Sequence, residues 1–459
     1  MTDTVEHLRA HRERHLEELK DFVRIPSISA KSEHKEDVRR AAEWVAAQML
    51  AAGLQKAELH PTAGHPIVVG EWRGAPGAPT LIVYGHYDVQ PAEPLDEWSS
   101  PPFEPTIRDG KLFARGAVDD KGQVFMYLKA VEAHMAARGK LPVNVVFVVE
   151  GEEEIGSPNL EPFLEQNQQL LGCDAVLISD TGMFAPGLPS ITKGLRGLAY
   201  MEIRVQGARS DLHSGSYGGA VVNPANALAK IIAQLHDEQG RVTVPGFYDE
   251  VMEIPAAERE QIAGLPHSEQ ELRAEVGSPA LGGEQGYNAL ERIWARPTLD
   301  VNGLLSGYTG EGAKTVLPAR AMAKVSMRLV PDQRHLDIEQ KFVDYVKSLA
   351  PPGVTVEVEA LHGGEPWYAD PEHPIFDKAS AALQSAFGKP PVFIREGGSI
   401  PIVRAFQTIL HTPVVLMGFA LPGCNAHAPD EWFSLDNFAR GTEAIATFFD
   451  EASGLSGGA

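Results

Sequence analysis

Residues 142–149 read Pro-Val-Asn-Val-Val-Phe-Val-Val, an almost unbroken apolar run. A strand with one face in water alternates polar with apolar, so a run of this kind is a strand covered on both faces. Similar β-branched runs occupy 66–72, 80–84 and 175–179, and residues 122–137 between the second and third of the four have helical character. Two amphipathic helices come earlier, at 5–23 (Leu8, Leu16, Leu19, Phe22) and 36–54 (Val38, Ala41, Val45, Met49). Buried strands alternating with helices predict an α/β fold in which a mixed, largely parallel sheet is flanked by helices.

The texture changes after Gly187. From 198 to 205, Ala199, Met201, Ile203 and Val205 alternate with polar neighbours, as in a half-exposed strand. A helix near 224–238, an irregular Pro- and Glu-rich stretch near 245–285, alternating strands within 315–329, a helix at 337–350 and a strand at 354–361 follow. Without the irregular stretch, this order is that of an α+β ferredoxin-like unit. The α/β texture then returns in helices at 375–387 and 435–451 and strands at 392–394 and 413–418. The expected organisation is a larger domain in two parts, 1–195 and 366–459, with a smaller one inserted at 196–365; only the tail 453–459 is of low complexity.

Charge narrows the function. With 62 Asp and Glu against 40 Lys and Arg, the net charge of −22 repels nucleic acid and anionic lipid, so neither is an expected partner. The apolar runs are of strand length, too short for a membrane span. Cys173 and Cys424 cannot build a disulfide framework, and the charged N-terminus has no apolar core of a secretory signal, so a cytoplasmic location is expected.

Chemistry-bearing residues recur just after the strands. His86 and Asp88 in Gly85–Pro91 point the same way if extended, which suits a metal-binding imidazole held by a carboxylate. Asp119 and Asp120 open the helix at 122–137, where two acids also suit a helix N-terminus. Glu150, Glu152, Glu153 and Glu154 crowd one loop and repel one another unless a cation sits among them. Asp180 ends another strand, and His427 lies in a loop after 414–419. One sheet edge gathers these positions, and α/β folds place ligands at that edge.

The series GHYDVQP, RGAVDDKG, EGEEEIGS, ISD, RSDLHSG, REGGSIP and NAHAPDE resembles the aminoacylase/carnosinase family of dinuclear metallopeptidases along the whole chain, and most resembles its cytosolic carnosinase-like dipeptidase branch. The resemblance implies two divalent metal ions per subunit, one on His86 and Asp180, the other on His427 and Glu154, with Asp119 bridging them. Mixed His and carboxylate ligation suits Zn²⁺ first and also Mn²⁺ or Co²⁺. It further implies Glu153 as the general base acting on the water between the metals, Asp88 as the carboxylate orienting His86, and His213 as an oxyanion donor acting on the other subunit of a homodimer joined through an inserted lid domain. Arg328, Ser399, Gly398 and Thr315 resemble the elements that bind the substrate's carboxylate. The implied reaction is cleavage of dipeptides or short peptides with a free C-terminal carboxylate; deacylation of N-acyl amino acids is the alternative. Cys424, Cys173, Trp98, Trp367 and Trp432 are read as packing groups.

Overall fold

The computed structural model describes residues 3–455, apart from the side chain of Pro401; the last four residues of the low-complexity tail lie outside the described residues. It comprises two compact units. One is built from the chain up to Lys193, from Ala369–Ile394 and from Ile402 onward; the other from Gly194–Tyr368 and Arg395–Pro401.

The first unit is organised around four adjacent parallel strands, in the order Asn144–Glu150, Thr80–His86, Ala175–Ile178 and Val414–Leu416. Antiparallel strands Ile67–Trp72 and Lys56–His60 extend one side, and Ser190–Leu195 joins Val414–Leu416 antiparallel on the other. Val145, Val146, Phe147, Val148 and Val149 are wholly buried, as their unbroken apolar run requires. The helix Lys121–Arg138 is apolar on nearly every side (Val124, Phe125, Met126, Leu128, Val131) and packs among the helices Asp3–Ala10, Arg12–Val23 and Leu435–Ala452. Its first residue, Lys121, is buried and donates to the carbonyls of Phe22 and Ile25 (2.6 Å to the latter). Burial brings this ammonium down to about 7, and the two carbonyls tie the helix start to the end of Arg12–Val23. The stretch read as one helix over 5–23 is two, because His11 leaves helical geometry (φ −113°, ψ 14°) while its ring hydrogen-bonds the His7 carbonyl at 2.9 Å.

In the second unit the antiparallel sheet runs Thr298–Ser306, Arg320–Leu329, Gly197–Gln206, Thr355–Gly364, with the helices Pro224–Ile232 and His335–Ser348 on one face. Numbered in chain order the strands lie 2-3-1-4, which is the ferredoxin-like arrangement. Ala199, Met201, Ile203 and Val205 face its core together with Leu228, Ile231 and Phe342. The second strand differs from the expectation. Residues 315–329 supply one long strand and the short Val316–Leu317, which pairs with Leu212–His213. On its outer side Arg320–Leu329 pairs with Thr298–Ser306, an edge strand with a bulge between Val301 and Gly303 and with Leu304 and Leu305 exposed, so its sequence shows no alternation. The helix expected over 224–238 stops at Ile232; beyond it His236 forms a bridge with Val242.

The stretch at 245–285 contains helices Ala256–Ala263 and Glu269–Val276, the latter opened by a Ser268/Glu271 capping box; a second box, Asn288/Glu291, opens Ala289–Ala295. Glu258, on the first of these helices, grips Arg395 through two 2.7 Å hydrogen bonds between buried groups. Among the described residues no helix is long and apolar enough to cross a membrane.

Candidate active site

His86 is the last residue of Thr80–His86 and is fully buried. Its Nδ1 lies 3.1 Å from the Asp88 carbonyl and 3.3 Å from Asp88 Oδ1, so Asp88 faces this nitrogen with two oxygens. The other nitrogen, Nε2, faces Asp119 Oδ1 at 3.1 Å and Asp180 Oδ2 at 3.7 Å. Asp88 has a second role: its two oxygens accept the backbone N–H groups of Glu153 (3.3 Å) and Glu154 (3.2 Å), bracing the turn after Asn144–Glu150. That turn begins with Gly151, where a Cβ would lie 2.4 Å from the Tyr87 hydroxyl, so no larger residue fits.

Asp119 uses both oxygens. Oδ1 faces His86, and Oδ2 lies 2.8 Å from His427 Nε2, which is itself 3.2 Å from Glu154 Oε2. His427 sits in a loop where it, Asn425 and Asp430 all have positive φ (63°, 58° and 56°), a conformation that costs about 1–3 kcal/mol for a non-glycine residue and marks functional loops. Ser99 anchors this loop by donating its N–H to Asp430 at 2.9 Å.

The result is two triads, His86/Asp119/Asp180 and Asp119/Glu154/His427, each with ligand atoms within 4.8 Å of one another and with Asp119 common to both. Each offers one imidazole nitrogen and carboxylate oxygens, a donor set that fits a divalent first-row metal. Electrostatics agree. Burial opposes the charged form of His86, but its hydrogen bonds with Asp119 and Asp88 outweigh that and hold it well above the usual imidazole range. Hydrogen bonds with Asp119 and Glu154 raise His427 to about 10. Burial pushes Glu153 well above the carboxylate range; His86 opposes this, and the neighbouring Asp180 and Asp119 add to it. Three carboxylates and a fourth nearby strain the site without positive charge, and a cation relieves that strain.

Two residues that position this site went unassigned in the sequence. The fully buried Glu431 carboxylate accepts from Arg115 Nη1 (2.8 Å) and from the N–H groups of Gly116 (2.9 Å), Val118 (2.9 Å) and Asp119 (3.2 Å). It thereby joins the loop carrying His427 to the loop carrying Asp119. Gln90 donates to Glu154 through its N–H (3.1 Å) and Nε2 (2.7 Å) and aims that carboxylate. Both stand inside the quoted motifs, which is the only signal the sequence carries for them.

The other predicted residues belong to the second unit. Arg328 Nη1 donates to Ser399 Oγ at 3.0 Å, and Gly398 has open space where a Cβ would stand. His213 and the exposed Thr315 lie on neighbouring chain segments, joined by a hydrogen bond from Ser214 N to the Thr315 carbonyl (3.1 Å). His213 Nδ1 caps the following turn by accepting from Gly215 N at 3.1 Å. Trp98, Trp367 and Trp432 are buried, whereas both cysteines are free thiols and only half-buried.

Comparison with known proteins extends the geometry. The chain is 34% identical over 450 residues to the Cys-Gly metallodipeptidase dug1 of Schizosaccharomyces pombe, covering 95% of this chain and 94% of that one. It is 33% identical over 395 residues to the human Beta-Ala-His dipeptidase, covering 85% of this chain and 78% of the other. The crystal structure of an M20 family metallo-carboxypeptidase from Sulfolobus solfataricus superposes with a TM-score of 0.84 at 34% identity, over 96% of this chain and 99% of that one. The profile of peptidase family M20/M25/M40 matches residues 82–451, and the chain belongs to that family.

Proposed function

We propose that this protein is a two-metal hydrolase that cleaves the amide bond of dipeptides or short peptides carrying a free C-terminal carboxylate. The observation that carries the reading is the shared Asp119 carboxylate between two ligand triads, with Glu153 beside them. The names of the relatives, two of them dipeptidases, support the substrate class. His86, Asp180 and Asp119 would hold one ion and His427, Glu154 and Asp119 the other, Zn²⁺ being the best fit and Mn²⁺ or Co²⁺ the next. Bound there, the ions acidify water and polarise the amide carbonyl.

The protein's own groups do the rest. Glu153 takes a proton from the attacking water and returns it to the nitrogen of the departing amine. Asp88 keeps His86 in one tautomer and holds Glu153 in place through its backbone N–H. Arg328, Ser399, Gly398 and Thr315 recognise the carboxylate end of the substrate. The insert at 196–365 acts as lid and dimerisation domain, and the enzyme works in the cytoplasm as a homodimer.

A panel of dipeptides compared with N-acetyl and N-succinyl amino acids tests the reading after chelation and metal add-back. Dipeptide hydrolysis that is lost on chelation and restored by Zn²⁺ is expected. Preference for the acyl amino acids would make the protein a deacylase instead, and no hydrolysis with any metal would end the proposal.

His213 supplies the oxyanion donor to the other subunit. His213→Ala is expected to lower kcat by about 10²–10³-fold, the loss typical of one oxyanion donor. Mixed with an inactive Glu153→Gln variant it should regain activity, because a heterodimer then holds one intact site. A fully active monomer on gel filtration would exclude a donor acting across subunits.

A further inference from the structure

Arg196 and Arg328 are neighbours in the second unit. Arg328 pairs with Leu198 in the adjoining strand, Arg196 immediately precedes that strand, and both guanidiniums reach the loop at 397–399. Each is half-buried. In a chain with 62 acidic residues, neither guanidinium has a carboxylate within ion-pair distance among the described residues. Asp300, whose charge acts on both, hydrogen-bonds Thr298 Oγ1 instead (3.2 Å). Burial, reinforced by the charge of Arg328, brings Arg196 down to about 10. Two partly desolvated cations with no carboxylate in contact are less favourable than the same pair with an anion from a ligand.

The loop at 397–399 sets their spacing. Arg196 donates through its N–H to the Gly398 carbonyl (3.1 Å) and through Nε to the Gly397 carbonyl (3.1 Å). Ser399 Oγ donates to the Arg196 carbonyl and accepts from Arg328 Nη1 (3.0 Å). A hydroxyl has one proton, and here it is directed at Arg196. The hydroxyl proton is thereby engaged, while each guanidinium keeps N–H groups for an anion. Gly397 is part of the fit: a Cβ there would lie 3.0 Å from Arg196 Nη2.

We propose that Arg196 is the second half of the anion site: it and Arg328 together grip the substrate's C-terminal carboxylate, and Ser399 is a positioning residue that joins them. This rests on the exopeptidase reading above. Guanidinium planes match a carboxylate through paired N–H groups, and two of them discriminate strongly against a neutral amide.

The test uses the full-length, metal-loaded enzyme with alanyl-glycine and alanyl-glycinamide. Arg196→Met is expected to raise KM for alanyl-glycine about tenfold or more with little change in kcat, and to erase most of the preference for the free carboxylate. Arg196→Lys, which restores the charge, should recover part of that preference. If Arg196→Met fails to fold, Arg196→Gln, which keeps a donor for the Gly397 carbonyl, replaces it. An equal loss for both substrates, or an unchanged preference, would overturn the role of Arg196. If Arg328→Met abolishes the preference while Arg196→Met does not, only the Arg196 inference fails. A wild-type enzyme that cleaves neither compound, nor any other dipeptide, removes the exopeptidase reading and this inference with it.

Discussion

Glu153→Gln is expected to lower kcat by about 10²–10⁴-fold, the range for loss of a positioned general base, while the protein retains its metal and its fold. The substitution is nearly isosteric. Among the described residues the Glu153 carboxylate makes no hydrogen bond to protein; what holds the residue is its backbone N–H, which donates to Asp88 Oδ1 at 3.3 Å and is untouched by the change. An amide in that place cannot accept a proton and carry it to a leaving amine. The measurement is steady-state hydrolysis beside metal content and thermal unfolding. A variant that keeps more than about a tenth of wild-type kcat would exclude Glu153 as the base.

Asp119→Asn should have the other large effect, by a different route. Asp119 Oδ1 and Oδ2 lie 3.1 Å and 2.8 Å from the two imidazoles, one in each triad. Replacing one oxygen by an NH₂ turns a donor toward a ligand position and cuts the ligand charge from −3 to −2 against the +4 that the two proposed divalent ions would bring. Both triads lose their common member, so metal content is expected to fall for both ions together, with hydrolysis reduced by at least about 10³-fold. A single-ligand change such as Asp180→Asn weakens one triad only and serves as the comparison. Full metal content with full activity in Asp119→Asn would show that the carboxylate bridges nothing.

How much of this was legible in the sequence follows from what each signal depends on. The central strands were readable because consecutive valines at 145–149 leave no polar face, and the helix Lys121–Arg138 was readable from its apolar character. Thr298–Ser306 was not, since an edge strand packs on one side and carries Leu304 and Leu305 into solvent, which removes the alternation that identifies strands. The helices after 255 leave no clear apolar period, although Ser268-x-x-Glu271 and Asn288-x-x-Glu291 are capping signatures. Prolines and acids nearby masked them.

The same division runs through the site. By itself the sequence determined which residue types could bind metal and that some of them follow strands: His86 ends Thr80–His86, and Asp180 stands two residues beyond Ala175–Ile178, whereas Asp119 stands just before the helix Lys121–Arg138. Only the tertiary structure decided that Asp119 turns one oxygen to each histidine, that Glu431 gathers four donors to hold the Asp119 loop, and that Arg196 meets Arg328 across the Ser399 hydroxyl. Motifs are local because strand ends and turns are local. Hydrogen bonds between residues more than 300 positions apart, such as that from Arg115 to Glu431, exist only after the chain has packed, and no spacing along the sequence encodes their direction.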